Sequence, residues 1–507
     1  MTGDVLALLL VNGCLLAAGA GVTRALGAWR EPRELLTVLA TSFLAGAAVF
    51  GVLAQLLYVV GFSLSISQTL AVCGLLAASG LLRVLPGSPL ANQPLLSRRE
   101  CLAAAIVAIP LILLAVAAVY QPLSSWDAWT QWTPKARALV ELDGLDSSYF
   151  ASPPYGHWHP DYPLLVPSLE AFAFRLGVGV RAVHLEFCFL LAAFAVALVE
   201  LLRPRVGPLL TWAVALALVW TPKLGAEAMS ANADMPLAIF LVLAAVAAWL
   251  WISEGSTPAL GLVAVFGAAA VATKLEGVIE LAIVLAVAVW VALSQSRRSA
   301  LLLAGAGAVA LTGFIPWRLW TMLTDAPTAY SASSVVDTVE ALEPNRVPIA
   351  SLLLLRQLFD PEVWLLLVPL ALCALAVAAL AVRRDRLVPL STAVFLAVAL
   401  VTALLIPPYS YGWQDQYWLL FLPAVLTGGA LVVAMPGRSR AAGFVTTSVA
   451  GLFAALVAIY LFTPYDFAWH LGTSTSRVVT PLALLSAAFA PIVLARAYRQ
   501  GPGGRVP

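Results

Sequence analysis

Apolar windows of about 16 to 25 residues, each long enough as a helix to cross about 30 Å of hydrocarbon, recur along this 507-residue chain. They fall near 5–22, 35–61, 66–86, 101–120, 182–201, 206–222, 235–252, 258–273, 277–295, 300–320, 361–382, 388–406, 417–435, 443–463 and 479–497. Windows of this length predict about fifteen spans. Leu/Ala/Val runs lack the apolar–polar alternation of a barrel strand, and hydrocarbon offers no partner to an open backbone. Helix is the expected element. The composition agrees, at 62% hydrophobic and 11% charged residues, where soluble proteins are about half apolar and a quarter charged. The expected fold class is therefore all-α: a polytopic membrane helical bundle with interfacial helices in its outer loops.

The same composition excludes several classes. No basic run exceeds two residues and no basic patch interleaves with aromatics, so nucleic acid is not an expected partner. The five cysteines, Cys14, Cys73, Cys101, Cys188 and Cys373, lie in or beside apolar windows, which argues against a disulfide framework or a thiolate metal site. No G-x-G-x-x-G or P-loop occurs in a strand–helix setting. No basic stretch precedes the first apolar window, so the first span is expected to be retained.

Arginine distribution orients the bundle. With the amino terminus outside, alternate loops carry Arg24, Arg30 and Arg33, then Arg98 and Arg99, Arg203 and Arg205, and Arg297 and Arg298. Arg383, Arg384 and Arg386, then Arg438 and Arg440, then Arg496 and Arg499 fall on that same side, which the positive-inside rule makes cytoplasmic. The acidic and histidine-bearing loops then lie outside, at 121–181, around 223–234, around 274–276, and at 321–360, 407–416 and 464–478. The segment Val347–Leu358 is too short to cross and reads as an interfacial amphipathic helix. Residues 1–100 read as scaffold spans, 101–497 as the functional membrane domain including the outer loop 121–181, and 498–507 as a cytoplasmic tail.

The polar island of the chain runs from Gln121 to Tyr162. Ser124 and Ser125 before Trp-Asp read as the start of a helix, with serine as cap. Helical spacing puts Asp127 and Gln131 on one face, with Lys135 a turn further on. Trp126 and Trp129 fit the headgroup level, where indoles prefer to sit. His157, His159 and Asp161 have a spacing that could ligate a metal, but hydrogen bonding to a polar ligand or to Asp127 is the favoured role. Extended backbone around Pro160 would send both histidines to one side.

Further polar groups punctuate later spans. Asp234, just before Met-Pro, is a candidate helix cap as much as a site residue. Lys274, Glu276 and Glu280 lie between two apolar runs, where a charge must reach the interface, pair, or line a wet cavity. Asp415 and Tyr417 open another window amid aromatics. His470 and Arg477 lie just outside the last one, with hydroxyls that suit a phosphate.

These residues, in this order, resemble the GT-C superfamily of integral membrane glycosyltransferases over roughly residues 101–497. The resemblance is carried by Trp126-Asp127-Ala-Trp129 after a span, then by Asp161-Tyr162-Pro-Leu-Leu-Val-Pro. Asn232-Ala-Asp234-Met-Pro-Leu, Lys274-Leu-Glu276-Gly and Gln416-Tyr417-Trp-Leu-Leu-Phe-Leu-Pro follow. It implies a GT-C-like fold in a bacterial cytoplasmic membrane, with the active site on the extracytoplasmic side. It also implies a polyprenyl-phosphate sugar donor, a glycan, lipid or protein acceptor, inversion at the anomeric carbon, and Asp127 as general base.

Such chemistry needs a carboxylate within hydrogen-bond reach of the acceptor hydroxyl. It also needs cations for the departing phosphate, for which Arg477, His470, Lys274 and Arg318 are the candidates. The expected substrate contacts are Trp126, Trp129, Gln131, Lys135, His157, His159, Asp161, Tyr162, Asp234, Glu276, Asp415 and Tyr417. No cofactor is assigned from the residues, and a divalent metal, Mg or Mn, is compatible with the scheme. A flippase for a lipid-linked glycan, or a ligase drawing on a pyrophosphate-linked lipid, are the alternatives.

Overall fold

Helix is the one regular element among the described residues, as hydrocarbon-compatible sequence demands. The computed structural model describes residues 2–82, 90, 96–152, 159–328, 345–364 and 440–499. Among these, nine helical runs are long and apolar enough to cross a membrane: Gly3–Ala25, Leu39–Val59, Arg98–Tyr120, Val180–Val206, Asp234–Glu254, Glu276–Leu293, Arg297–Leu323, Gly443–Leu461 and Phe467–Val493. Pro208–Val219 and Pro222–Ser230, bent by 56°, make a tenth if they are one span. The expected windows 388–406 and 417–435, and nearly all of 361–382, lie outside the described residues.

Two expected spans emerge as shorter helices, and the ends explain why. Ile66–Ser79 begins at a reciprocal cap between Ser65 and Gln68 and stops at Gly80. Thr257–Thr273 begins after Ser256, whose hydroxyl accepts from the Ala259 amide, and ends at Lys274, whose backbone is extended.

The chain forms two units. The first comprises Met1–Trp220 and Leu224–Thr328, the second Thr221–Lys223 and Ala329–Pro507. In the first, α1 (Thr2–Ala25) packs along α2 (Leu39–Val59) and α3 (Ile66–Ser79). Then come α4 (Arg98–Tyr120), the short α5 (Thr133–Glu141) and α6 (Leu165–Arg175) in the polar island, α7 (Leu185–Val206), α8 (Pro208–Val219) and α9 (Pro222–Ser230). The centre is α10 (Asp234–Glu254), which is apolar on every side and buried almost end to end, as an all-round apolar helix should be. It packs antiparallel against α11 (Thr257–Thr273), followed by α12 (Glu276–Leu293), α13 (Arg297–Leu311) and α14 (Ile315–Leu323). Because α10 and α11 run in opposite directions with a short turn between them, the start of α10 returns beside the end of α11.

The early helices are more specific than a lipid-facing scaffold requires. A Cβ on Gly19 would overlap the Ser42 carbonyl, and one on Gly46 would overlap the Leu15 carbonyl, so α1 and α2 approach as small-residue membrane pairs do. Thr23 and Ser42 share a buried hydroxyl hydrogen bond of 2.8 Å across this contact. The start of α2 is capped from α7: the Glu200 carboxylate accepts from the amides of Ala40 and Thr41, both at 2.8 Å, and from the Thr41 hydroxyl at 2.7 Å. Replacing Gly46 by Val should force these helices apart and cost at least about 1–3 kcal/mol, the usual overpacking penalty. Thermal unfolding of the detergent-purified protein measures it; an unchanged midpoint would contradict the close approach.

The arginine-bearing ends are tied by ion pairs. Arg203 reaches Glu100 at the start of α4, and Arg205 reaches Glu254 at the end of α10. The second unit holds α15 (Arg346–Phe359), α16 (Arg440–Leu461), α17 (Phe467–Val478) and α18 (Thr480–Arg499). The expected amphipathic segment 347–358 is helical as α15. Asp466 caps α17 by accepting from the Trp469 amide at 2.8 Å.

Candidate functional site

The polar island folds as a helix from Trp126 whose turn Ala128–Trp132 is π-helical before α5 continues it. Such widened turns recur at functional sites because they re-aim side chains. Asp127 precedes this turn, is partly exposed, and makes no side-chain cap to its own helix. The expected serine cap takes another form: the Ser125 hydroxyl donates to the Asn232 side-chain oxygen at 2.9 Å, tying the island to the entrance of α10.

Beyond α5 the chain returns through His159–Tyr162, a turn fixed by its carbonyl groups. The Lys135 ammonium donates to the His159 carbonyl at 2.5 Å and the Tyr162 carbonyl at 3.3 Å. The Trp317 indole donates to the Asp161 carbonyl at 2.7 Å, and the Thr328 hydroxyl donates to the Asp161 carboxylate at 2.7 Å. His159 is left-handed, with φ of 47°, which corrects the expectation of extended backbone there. The His159 carbonyl accepts from the Tyr162 amide at 3.1 Å, closing a tight turn through Pro160 and Asp161. Three rings follow: Tyr162 stacks on His159 with centroids 5.0 Å apart and on Trp132 at 5.6 Å.

The third component comes from the paired ends of α10 and α11. Lys274 bridges Asp234 at 2.9 Å and Glu276 at 3.4 Å, and its ammonium lies 5.6 Å from the centre of the Tyr162 ring. Tyr162 also donates its hydroxyl to Glu276, at 3.4 Å. Asp234 is the first residue of α10, and its carboxylate holds Lys274 where the sequence suggested a helix cap; Ala233 occupies the cap position. Glu280, one turn into α12, is buried within electrostatic range of Glu276, Lys274 and Asp234.

One polar cluster thus joins Lys135, His159, Asp161, Tyr162, Asp234, Lys274 and Glu276; Gln131 is buried on the π-helical turn beside Trp132. Asp127 acts on it electrostatically through His159. Other expected members stand apart. Trp126 is exposed, and Trp129 is exposed except for its N–H, which donates to the Leu123 carbonyl. Arg318 is exposed on α14 and does not join the cluster; its neighbour Trp317 does.

His470 and Arg477 belong to the second unit, two turns apart on α17, with His470 against Tyr460 and Tyr465. His157, Asp415 and Tyr417 lie outside the described residues. Among the described residues no three His, Cys, Asp or Glu side chains converge as metal ligands, so Mg or Mn finds no ready-made protein cage there. Trp132, Trp317 and Thr328 are the members that residue reading passed over, while Glu280, noted beside Lys274 and Glu276, was not among the expected substrate contacts.

Burial tunes the groups outside the spans. It pushes the Lys135 ammonium from 10.5 down to about 7, against the opposing pull of Asp161. It also holds His159 below its ordinary value, with Asp161 the main opposing charge. On α6, too short to be a span, burial raises Glu170 from 4.5 to about 8, although the Thr133 hydroxyl bonded to it at 3.4 Å favours the charged form.

These shifts set a pH profile of stability. Between 4.5 and about 8 the folded chain keeps a proton on Glu170 that the unfolded chain releases, so this contribution falls as pH rises. Between about 7 and 10.5 the folded chain lacks a proton on Lys135 that the unfolded chain holds, so that contribution rises with pH. Glu170→Gln should flatten the acid limb and Lys135→Met the alkaline limb. Unfolding midpoints from pH 5 to 10 check this; unchanged limbs in both variants would refute it.

The spans and this cluster define a helical integral membrane protein with an acid-rich polar site gathered at span ends. Comparison with protein-family models, curated proteins and solved structures gives no match to this chain.

Proposed function

We propose that this chain is an inverting membrane glycosyltransferase that moves a hexosyl or pentosyl group from a polyprenyl-phosphate donor to an extracytoplasmic acceptor. It would work at the outer face of a bacterial cytoplasmic membrane, in a GT-C-like bundle of about fifteen spans. The observation that supports this reading most is the setting of Asp127. It is a partly exposed carboxylate, not spent on its own helix cap, beside a buried cluster assembled from the loop and two span ends.

In this mechanism Asp127 accepts the proton of the acceptor hydroxyl as its oxygen attacks the anomeric carbon. The bond from that carbon to the donor phosphate oxygen breaks, and the electron pair leaves with the lipid phosphate. His159, kept neutral by burial, neighbours the base without adding charge. Within the first unit Arg318 remains a candidate for the phosphate, since Lys274 is held between two carboxylates.

The test is reconstitution of the purified chain in liposomes with a panel of polyprenyl-phosphate sugars. Donor-dependent transfer giving a product of inverted anomeric configuration by NMR supports the reading. Translocation of a lipid-linked sugar without transfer would replace it with the flippase reading, and a requirement for a pyrophosphate-linked glycan would replace it with the ligase.

A further inference from the structure

The cluster is short of positive charge and short of hydrogen-bond donors. Five carboxyl groups, Asp127, Asp161, Asp234, Glu276 and Glu280, share it with two lysines. Both lysines are committed, Lys274 between Asp234 and Glu276, and Lys135 to the carbonyls of His159 and Tyr162. What is left over is one buried donor, the Trp132 indole N–H, and several acceptors. Asp161 Oδ1, Glu276 Oε2 and Glu280 Oε2 are buried atoms with no hydrogen-bond partner among the described residues. Asp161 and Glu280 are each more than nine-tenths buried.

Buried acceptors left without donors are costly, and native proteins seldom keep several together unless something supplies the protons. A phosphate or a carboxylate cannot supply them. Either would bring further acceptors and negative charge into a site already rich in both. A row of hydroxyl groups can, because each donates to a carboxylate without adding charge.

We propose that this cluster binds the acceptor, and that the acceptor is an uncharged polyol: a neutral sugar bearing no carboxylate, phosphate or sulfate. This rests on the glycosyltransferase reading and sharpens it. The donor phosphate is held elsewhere, and Lys274 organises carboxylates instead of binding phosphate. Glu280, which the transfer mechanism does not use, becomes one of the buried acceptors that meet the sugar's hydroxyl groups.

The experiment is saturation-transfer NMR on the full chain in nanodiscs, without donor lipid. The probes are methyl glycosides of neutral hexoses and pentoses and the corresponding methyl glycosiduronates. At least one neutral glycoside should bind, and its uronate should bind at least tenfold more weakly at pH 7.5. Glu280→Gln, which replaces one acceptor oxygen of the site, should weaken neutral-sugar binding several-fold. A uronate that binds as tightly as its neutral partner would overturn the proposal. So would anionic binding that appears only with Mg or Mn, or no binding across the panel. The two readings fail separately. Selective neutral-sugar binding without transfer activity removes the transferase reading alone, and transfer to a uronate acceptor removes this one alone.

Discussion

Asp127→Asn is expected to lower glycosyl transfer by about 10²–10⁴-fold, the range that a positioned general base contributes. By the tenfold-per-1.36 kcal/mol relation this is about 2.7–5.5 kcal/mol of transition-state stabilisation. The amide keeps the shape of the carboxylate and a hydrogen bond to an acceptor hydroxyl but cannot take its proton. The loss should therefore appear in kcat, with KM for the acceptor nearly unchanged. The substitution is isosteric, and the unfolding midpoint of the variant checks that folding is retained. Initial rates with a saturating polyprenyl-phosphate sugar measure the effect. Turnover within threefold of the parent would remove Asp127 as base. A rise in KM at constant kcat would make it a binding residue.

That Asp127 could be singled out from the sequence reflects the physics of a membrane chain. Where nearly everything is apolar, polar residues beside span ends stand out; which of them meet is given by the structure. Asp234 and Lys274 are 40 positions apart, yet the turn between α10 and α11 makes them neighbours. Asp161, Tyr162 and Glu276 were legible for the same reason.

Other features depend on three-dimensional geometry with no local trace. Nothing near Trp317 distinguishes it from other span-end indoles; what matters is that its N–H meets the Asp161 carbonyl. Trp126 and Trp129 drew attention by flanking Asp127, but the ring in the stack is Trp132, which the π-helical turn carries inward to a buried position. Arg318 stands out as a cation at a span end, and helical phase leaves it exposed beside a buried Trp317, apart from the buried cluster. Charge type and depth can be read from sequence; the side of the helix that meets the site depends on packing partners.

Lys274→Met is expected to have the largest effect on folding. The ammonium is buried with Asp234 and lies against Glu276 and the Tyr162 ring, and Glu280 adds a further carboxyl group nearby. Removing one partner of a buried ion pair leaves the other charge uncompensated and typically costs about 3–5 kcal/mol. Met fills similar volume, so lost packing contributes little and the deficit is electrostatic. Asp234→Asn alone should cost less, because Lys274 retains Glu276. The double variant Lys274→Met, Asp234→Asn should recover part of the loss, since it removes the stranded charge with its partner. Unfolding midpoints of the four proteins in one detergent give the coupling, which for residues in contact should be about 0.5–3 kcal/mol. Additive effects would mean that the two side chains do not pair. A Lys274→Met protein as stable as the parent would mean the carboxylates there already sit in water. In that case the neutral-sugar site loses its physical basis, because hydrated acceptors have no need of a ligand's hydroxyl groups.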